Sequence, residues 1–222
     1  VALNGSAQDA FMRRLDMNKA AGYNTPGPKS NYVDRYVDDE GKVKDELKDE
    51  IVKELCLLLA CYGRNELYGP VYRAQLKDEP RLIEKANKGK TRVFYATPFA
   101  FLIAQRMFLG PFYSLMIQFS ACFFTAIGID MHRQAHLLYS RMEDFGPNIF
   151  EGDYGGYDTS MPFDIGVGAN CIVLKLLEHL GYTPHQLLIA NGLLNDNLFP
   201  FVEMIGEMFC VPALQPSGKY AT

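Results

Sequence analysis

Apolar side chains recur at helical spacing in several stretches of the chain. Between Asp45 and Tyr62 they return every three or four residues, acidic residues crowd the first turn, and Gly63 follows. This pattern predicts an amphipathic helix with a glycine cap. Residues 165–180 carry a second such face, closed by Gly181. A further helix is predicted to open at Thr183, a hydroxyl cap that precedes a first-turn proline.

Other parts of the chain have the composition of β-strands or of loops. Residues 69–72 and 91–95 are rich in β-branched and aromatic side chains and flank a charged segment, which predicts a hairpin-like excursion. Residues 148–152 predict a short strand that ends on the loop carrying Asp153. Residues 1–40 are rich in Gly, Pro, Asn and Asp, and we expect loops there.

A third helical region is predicted from about Thr97, with a break near Gly110 and Pro111. Residues 107–129 carry no charge over a length that would cross a bilayer, but polar side chains and the break favour a buried helix pair. We therefore expect no transmembrane segment. The elements follow one another without the regular βαβ alternation of a parallel sheet, so the predicted fold class is α+β.

Composition places the chain among ordinary globular proteins. Its 222 residues are 48% hydrophobic and 22% charged, enough to bury a core as one large domain or as two lobes that share a core. Five widely spaced cysteines without a Cys-x-x-Cys pair indicate neither a disulfide framework nor a zinc site, and favour a reducing compartment. The chain starts at Val1 rather than at a methionine, and we expect a piece of a longer protein.

Charge is unevenly distributed along the chain. Residues 73–92 hold seven basic and three acidic side chains, whereas residues 141–222 hold three basic and ten acidic ones. A basic and an acidic segment on one chain suit a site that binds phosphate on one side and a metal ion on the other.

Two aspartates in the acidic segment are candidates for chemistry. Asp153 and Asp158 are separated by Tyr-Gly-Gly-Tyr, so a strand can end, turn on glycine and enter a helix with both carboxylates near one opening. Mg²⁺ prefers carboxylate oxygens and keeps positions free for substrate phosphates, which suits a nucleotide site. The spacing alone favours the alternative, in which the two aspartates only cap a turn and a helix.

The basic segment offers lysines and arginines to a phosphate group, namely Lys77, Arg81, Lys90 and Arg92. A solvated hairpin with exposed ion pairs of little energetic value is the alternative. Near the end, residues 215–222 form a glycine-containing stretch in which the hydroxyl of Ser217 is suited to hydrogen-bond a sugar, although a plain turn has the same composition.

Taken in order, these segments resemble the RNA-dependent RNA polymerases of picorna-like positive-strand RNA viruses. The similarity covers most of the chain and rests on three motifs. Motif F is matched by Lys77-Asp78-Glu79-x-Arg81 and Gly89-Lys90-Thr91-Arg92, motif A by Asp153-Tyr154-x-Gly156-Tyr157-Asp158, and the start of motif B by Pro216-Ser217-Gly218-x-x-x-Thr222.

The resemblance implies a role for each matched residue. Asp153 would be a catalytic ligand of Mg²⁺ or Mn²⁺, with the main-chain carbonyl of Tyr154 as a further donor, and Asp158 would sense the ribose of the incoming nucleotide. The residues expected to cradle the triphosphate are Lys77, Arg81, Lys90 and Arg92. The residues expected to shape the pocket around sugar and template are Ser217, Gly218 and Thr222.

The same resemblance implies a right-hand polymerase architecture with fingers, an incomplete palm and no thumb. Fingers would span residues 1–108, with the triphosphate-binding segment at 73–92. The remaining divisions would be a palm at 109–198 with its strand and metal-binding loop at 148–158, a fingers return segment at 199–215 and a truncated motif B at 216–222.

The implied reaction is template-directed nucleotidyl transfer from nucleoside triphosphates to an RNA 3′ end by a two-metal mechanism, for genome replication and transcription. Expected partners are template and product RNA, nucleoside triphosphates and other viral replication proteins, in a replication complex of the host cytoplasm. The family's Gly-Asp-Asp motif C and the asparagine of motif B are expected beyond Thr222, so we expect this piece to be inactive alone. A non-catalytic RNA- or nucleotide-binding module is the alternative.

Overall fold

The fold is seen in a computed structural model that describes residues 1–9, 11–80, 82–89 and 91–215, without the side chain of Lys85. Within these ranges the helices are α1 Asp49–Gly63, α2 Ile83–Asn87, α3 Phe99–Phe108, α4 Gly110–Gln118, α5 Met131–Glu143, α6 Tyr157–Ser160, α7 Phe163–His179 and α8 Pro184–Leu198. The strands are β1 Val33–Val37, β2 Val43–Leu47, β3 Val71–Leu76, β4 Val93–Ala96, β5 Phe201–Met204 and β6 Glu207–Cys210.

The strands form two sheets. β1 and β2 make an antiparallel hairpin, and the other four strands form a sheet in the order β4-β3-β5-β6. β3 pairs antiparallel with β4 and parallel with β5, and Tyr72 lies opposite Val202 in the parallel pair. Because side chains alternate along a strand, one face of this sheet presents Tyr72 and Val202 to the helices, and both are buried.

The main core lies between this sheet face and helices α1, α3 and α8. Eight of the ten residues of α3, from Phe99 to Arg106, are buried, as is expected of a helix that is apolar around most of its circumference. α1 and α8 approach closely at Gly192, where an added Cβ would lie 2.3 Å from Cδ1 of Tyr62. Only glycine permits this approach, so the distance between α1 and α8 depends on the lack of a side chain at residue 192.

A second buried cluster joins the N-terminal segment to α1 and α3 and contains Leu3, Met17, Ile51, Phe99 and Ile103. The N-terminal segment is also held by Asp45 of β2, which is 2% exposed. Its carboxylate accepts hydrogen bonds from Arg14 and from Nε of Arg35 at 2.8 Å, and its backbone amide donates to Oδ1 of Asn4 at 2.8 Å. Burial alone would raise the pKa of Asp45, but the hydrogen bonds and charges of the two arginines lower it overall.

Most of the predicted helices are confirmed. α7 lies where apolar periodicity placed it. α8 begins where the Thr183 cap and the proline after it placed it, with a capping box between Thr183 and Gln186, and α3 and α4 meet at the expected break before Gly110. α1 begins at Asp49 rather than at Asp45, because residues 43–47 pair with β1. The mixture of helices and strands confirms the α+β class.

The strand predicted at residues 148–152 is wrong. Residues 148–154 form no strand, and Phe150 is fully exposed. A strand persists where a neighbouring strand takes up its backbone hydrogen bonds. Among the residues that the structure describes, none pairs with this stretch.

No single helix in the described ranges is long and apolar enough to cross a membrane. α3 and α4 reach that length and composition only as a pair, which is bent by 57°.

Replacement of Asp45 by asparagine tests whether the hydrogen bonds of its carboxylate hold the N-terminal segment in place. At pH 7 we expect Asp45→Asn to lower the free energy of unfolding by about 1–2 kcal/mol, since a buried acceptor of two charged hydrogen bonds is lost while the arginines keep access to water. The lowered pKa of Asp45 means that its ionised form stabilises the fold above roughly pH 4 and that this contribution is lost as the pH falls through the lowered value.

Urea unfolding at pH 7 and at pH 3 measures the effect, with Asp34→Asn on the exposed side of the same hairpin as the control. The difference in the free energy of unfolding between Asp45→Asn and the parent protein should be smaller at pH 3 than at pH 7. An equal difference at both pH values, or a loss no larger than that of the control, would contradict the assigned role.

Candidate functional site

The aspartate loop lies at the surface and turns on a glycine. Residues 151–156 lead into α6, and Gly156 has a φ of +66°, a conformation that a side chain would strain. Asp158 lies in the first turn of α6, and both Asp158 and Asp153 are exposed. The predicted turn on glycine into a helix is therefore confirmed, with both carboxylates open to solvent.

Asp158 interacts with residues that are distant from it in sequence. Its backbone carbonyl accepts a hydrogen bond from the amide of Gln215 at 2.8 Å, and Gln215 directly precedes the segment 216–222. Burial, and after it the negative charge of Asp158, raises the pKa of Tyr95 in β4. Tyr95 is three residues after Arg92, roughly 10 Å along a strand. Asp158 is thus bonded to the residue that precedes the last segment, and its charge acts on the strand that follows the basic hairpin.

The basic hairpin places Lys77 and Arg92 opposite each other. The amide of Lys77 donates to the carbonyl of Arg92 at 2.9 Å, which extends the β3–β4 ladder by one pair. Residues directly opposite in an antiparallel pair share a face of the sheet. Arg92 is half exposed to solvent and Nη1 lies 3.7 Å from Oε1 of Glu79, a loose ion pair at the surface. Arg81 and Lys90 lie outside the described residues.

A recess of about 350 Å³ adjoins the same face of the sheet. It is lined by residues of the loop 18–28 and, from the sheet, by Arg73, Gln75 and Ala96. Arg73 and Gln75 alternate with Lys77 along one face of the chain. Nζ of Lys29 holds the loop by donating to the carbonyl of Ala20 at 2.7 Å, and burial lowers the pKa of that lysine. The sequence predicted loops here but gave no sign of the recess.

The aspartate loop fits part of a metal site. Asp153 presents one exposed carboxylate and Tyr154 one neighbouring carbonyl, and Mg²⁺ is commonly held by one or two carboxylates together with substrate phosphates. No group of three histidine, cysteine, aspartate or glutamate side chains that would hold a metal ion occurs in the described ranges. The donors in the described part of the chain therefore suit a site that substrate or further residues complete. Ser217, Gly218 and Thr222 fall outside the described residues.

Comparison with known proteins gives a consistent result. The family model described as viral RNA-dependent RNA polymerase matches residues 7–222. The replication polyprotein of Nora virus is 29% identical over 169 residues, which are 71% of this chain and 8% of that protein. The genome polyprotein of human hepatitis A virus genotype IA (isolate HAS-15) is 31% identical over 149 residues, 66% of this chain and 7% of that protein.

A solved structure shares the fold. The chain matches the Sicinivirus 3Dpol RNA dependent RNA polymerase with a TM-score of 0.74 and 21% identity, over 98% of this chain and 44% of that one. The chain thus spans less than half of the solved polymerase and under a tenth of the polyproteins that it matches. The expected polymerase architecture is confirmed for the part present, and the chain belongs to the family of viral RNA-dependent RNA polymerases as a partial, picorna-like member.

Proposed function

We propose that the chain forms the nucleotide-binding part of an enzyme that extends an RNA 3′ end with nucleoside triphosphates under the direction of an RNA template. The observation that carries this proposal is the hydrogen bond from the amide of Gln215 to the carbonyl of Asp158, which joins the end of motif A to the residue that precedes motif B. The influence of the charge of Asp158 on Tyr95, in the strand that follows motif F, agrees with this arrangement.

In this proposal Asp153 is the catalytic carboxylate. Bound Mg²⁺ or Mn²⁺ would activate the 3′ hydroxyl and stabilise the pyrophosphate leaving group, the two parts of a two-metal mechanism. Asp153 supplies a hard oxygen donor on an open loop, and the carbonyl of Tyr154 is a second donor beside it. The solvent exposure of Asp153 leaves room for the triphosphate oxygens that complete such a site.

The triphosphate is assigned to the basic hairpin. Lys77 and Arg92 share one face, and the loose ion pair of Arg92 with Glu79 is weak enough for a phosphate group to displace. We assign the same role to Arg81 and Lys90 by their place in the motif. The recess between the loop 18–28 and the sheet adjoins this face and suits the backbone of the RNA template.

Asp158 is assigned to the ribose, with Ser217, Gly218 and Thr222 around sugar and template. The bond from Gln215 to the carbonyl of Asp158 supports this grouping, because the three residues follow Gln215 closely in the chain. We also propose action in a replication complex of the host cytoplasm, with other viral replication proteins as partners.

The 222 residues alone are expected not to polymerise RNA. They contain no match to the Gly-Asp-Asp motif, and in the described ranges no cluster of acidic side chains replaces it. Primer extension on an RNA template with Mg²⁺ or Mn²⁺ measures this. Synthesis by residues 1–222 that disappears in Asp153→Ala would contradict the expectation.

In a longer polymerase that carries these residues and the segment after them, Asp153→Asn should lower kcat by about 1,000-fold or more, because a negatively charged metal ligand is lost at the reacting phosphate. Single-turnover primer extension measures the rate. Asp164→Asn, an exposed aspartate in the first turn of α7, is the control and should retain activity. Full activity of Asp153→Asn would remove Asp153 from the catalytic role.

Asp158→Asn in the same protein should weaken discrimination against deoxynucleotides by about tenfold, as expected for the loss of one charged hydrogen bond to a hydroxyl. The ratio of kcat/KM for a ribonucleotide to that for its deoxy analogue is the measurement. The neighbouring exposed Glu151→Gln serves as the control. An unchanged ratio would show that Asp158 does not contact the sugar.

A non-catalytic RNA- or nucleotide-binding module is the second candidate, favoured because no group of three metal-ligating side chains occurs in the described ranges. Such a module would bind RNA with an affinity that falls as the salt concentration rises. No longer version of the chain would synthesise RNA. Activity of the longer protein decides between the two.

A further inference from the structure

The last turn of α8, residues 194–198, joins parts of the molecule that are far apart in sequence. We call this turn the α8 hub. Two of its side chains, Asp196 and Asn197, are polar and buried, being 2% and 8% exposed. Buried polar groups are costly unless they are hydrogen-bonded, so the partners of these two residues define what the hub holds in place.

Asp196 fixes the entry to β3. Its Oδ2 accepts three hydrogen bonds, from the hydroxyl of Tyr62 at 2.5 Å and from the amides of Tyr68 and Gly69 at 3.2 and 3.1 Å. Burial raises the pKa of Asp196, and these three donors oppose that rise. Tyr62 belongs to α1, whereas Tyr68 and Gly69 lead directly into β3, so one oxygen ties both elements to α8.

Asn197 holds the next part of the same strand. Its Oδ1 accepts from the hydroxyl of Tyr72 in β3 at 3.0 Å and from Nε2 of Gln105 in α3 at 2.8 Å. β3 runs from Tyr72 on to Leu76, and the next residue, Lys77, lies opposite Arg92 in the basic hairpin. The base of the triphosphate-binding hairpin is therefore fastened to the hub at successive points.

The other side of the hub faces the aspartate loop. Leu198 packs against α7 at Gly166, where an added Cβ would lie 2.4 Å from Cδ1 of Leu198. The carbonyl of Leu198 accepts from the amide of Ala213 at 2.7 Å. Asn197 also lines a recess of about 240 Å³ together with Tyr157 and Gln215, the residues that flank Asp158 in sequence and in hydrogen bonding.

We propose that Asp196 and Asn197 are positioning residues that set the placement of the triphosphate-binding hairpin relative to the aspartate loop. This inference rests on the proposed polymerase function and deepens it. Both side chains are buried and hydrogen-bonded within the framework. Each acts through β3, while the same helical turn supports α7 and the segment before residue 216.

A displaced hairpin has a specific kinetic consequence. Contacts to the triphosphate are made in the bound substrate as well as in the transition state, so their weakening raises KM for the nucleotide more than it lowers kcat. A simple loss of stability removes active molecules instead, and so lowers the apparent kcat without changing KM. The two effects can be separated in one experiment.

The test uses a longer polymerase that carries this chain, with the variants Asp196→Asn and Tyr72→Phe. Asp196→Asn replaces a charged acceptor by a neutral one of the same shape, and Tyr72→Phe removes one donor to Asn197 without changing the ring. The control is Ile51→Val, which thins the second buried cluster and touches no residue of the hub. Steady-state primer extension gives kcat and KM for the nucleotide, and thermal unfolding gives Tm for each variant.

Both hub variants should raise KM for the nucleotide about threefold to tenfold with kcat within about twofold of the parent, the effect expected when hydrogen bonds that position a binding element are weakened. Ile51→Val should lower Tm and leave KM unchanged. A lowered Tm with unchanged KM in the hub variants would overturn the positioning role and leave the hub purely structural. If Asp196→Asn does not fold, Tyr72→Phe decides the question by the same measurement.

A refutation of the proposed function would give a different experimental result. In that case the unsubstituted protein makes no RNA and Asp153→Asn has no effect, and the positioning role is then refuted with it. An active parent whose hub variants keep their KM refutes only the inference about Asp196 and Asn197.

Discussion

The buried carboxylate of Asp196 is the interaction on which the arrangement of the sheet and helices depends. Removing a charged group from water is costly, and the cost is offset only because a tyrosine hydroxyl and two backbone amides converge on one oxygen. Those donors come from α1 and from the chain entering β3. Since Asn197 binds Tyr72 in the same strand, two successive residues fix where β3 lies, and β4 follows by pairing.

The buried side chains that support the fold and the exposed candidate site residues lie on different parts of this molecule. The elements that carry the framework, α1, α3, α8 and β3, contribute most of the fully buried side chains, including Tyr62, Phe101 and Tyr72. The candidate site residues lie instead at the surface, Asp153 on a loop, Asp158 in the first turn of α6 and Arg92 directly before β4. Surface placement leaves these side chains accessible to solvent, while the buried framework supports the segments that bear them.

Membership of the viral RNA-dependent RNA polymerase family rests on a match that covers nearly the whole chain, and the shared fold extends over 98% of it. The part present corresponds to 44% of a solved polymerase chain. In the ranges that the structure describes, no group of three metal-ligating side chains occurs.

The sequence by itself determined the elements whose stability is local. Periodicity located α7, the cap at Thr183 located the start of α8, and glycine and proline marked the break between α3 and α4. The order of the charged motifs identified Asp153, Asp158, Lys77 and Arg92 as candidates. Tertiary structure alone decided the β1–β2 hairpin, the parallel pairing of β3 with β5, the hub around Asp196 and the absence of a strand at residues 148–152. The physical reason is that a strand or a buried carboxylate depends on partners distant in sequence, whereas an amphipathic helix forms its backbone hydrogen bonds within itself.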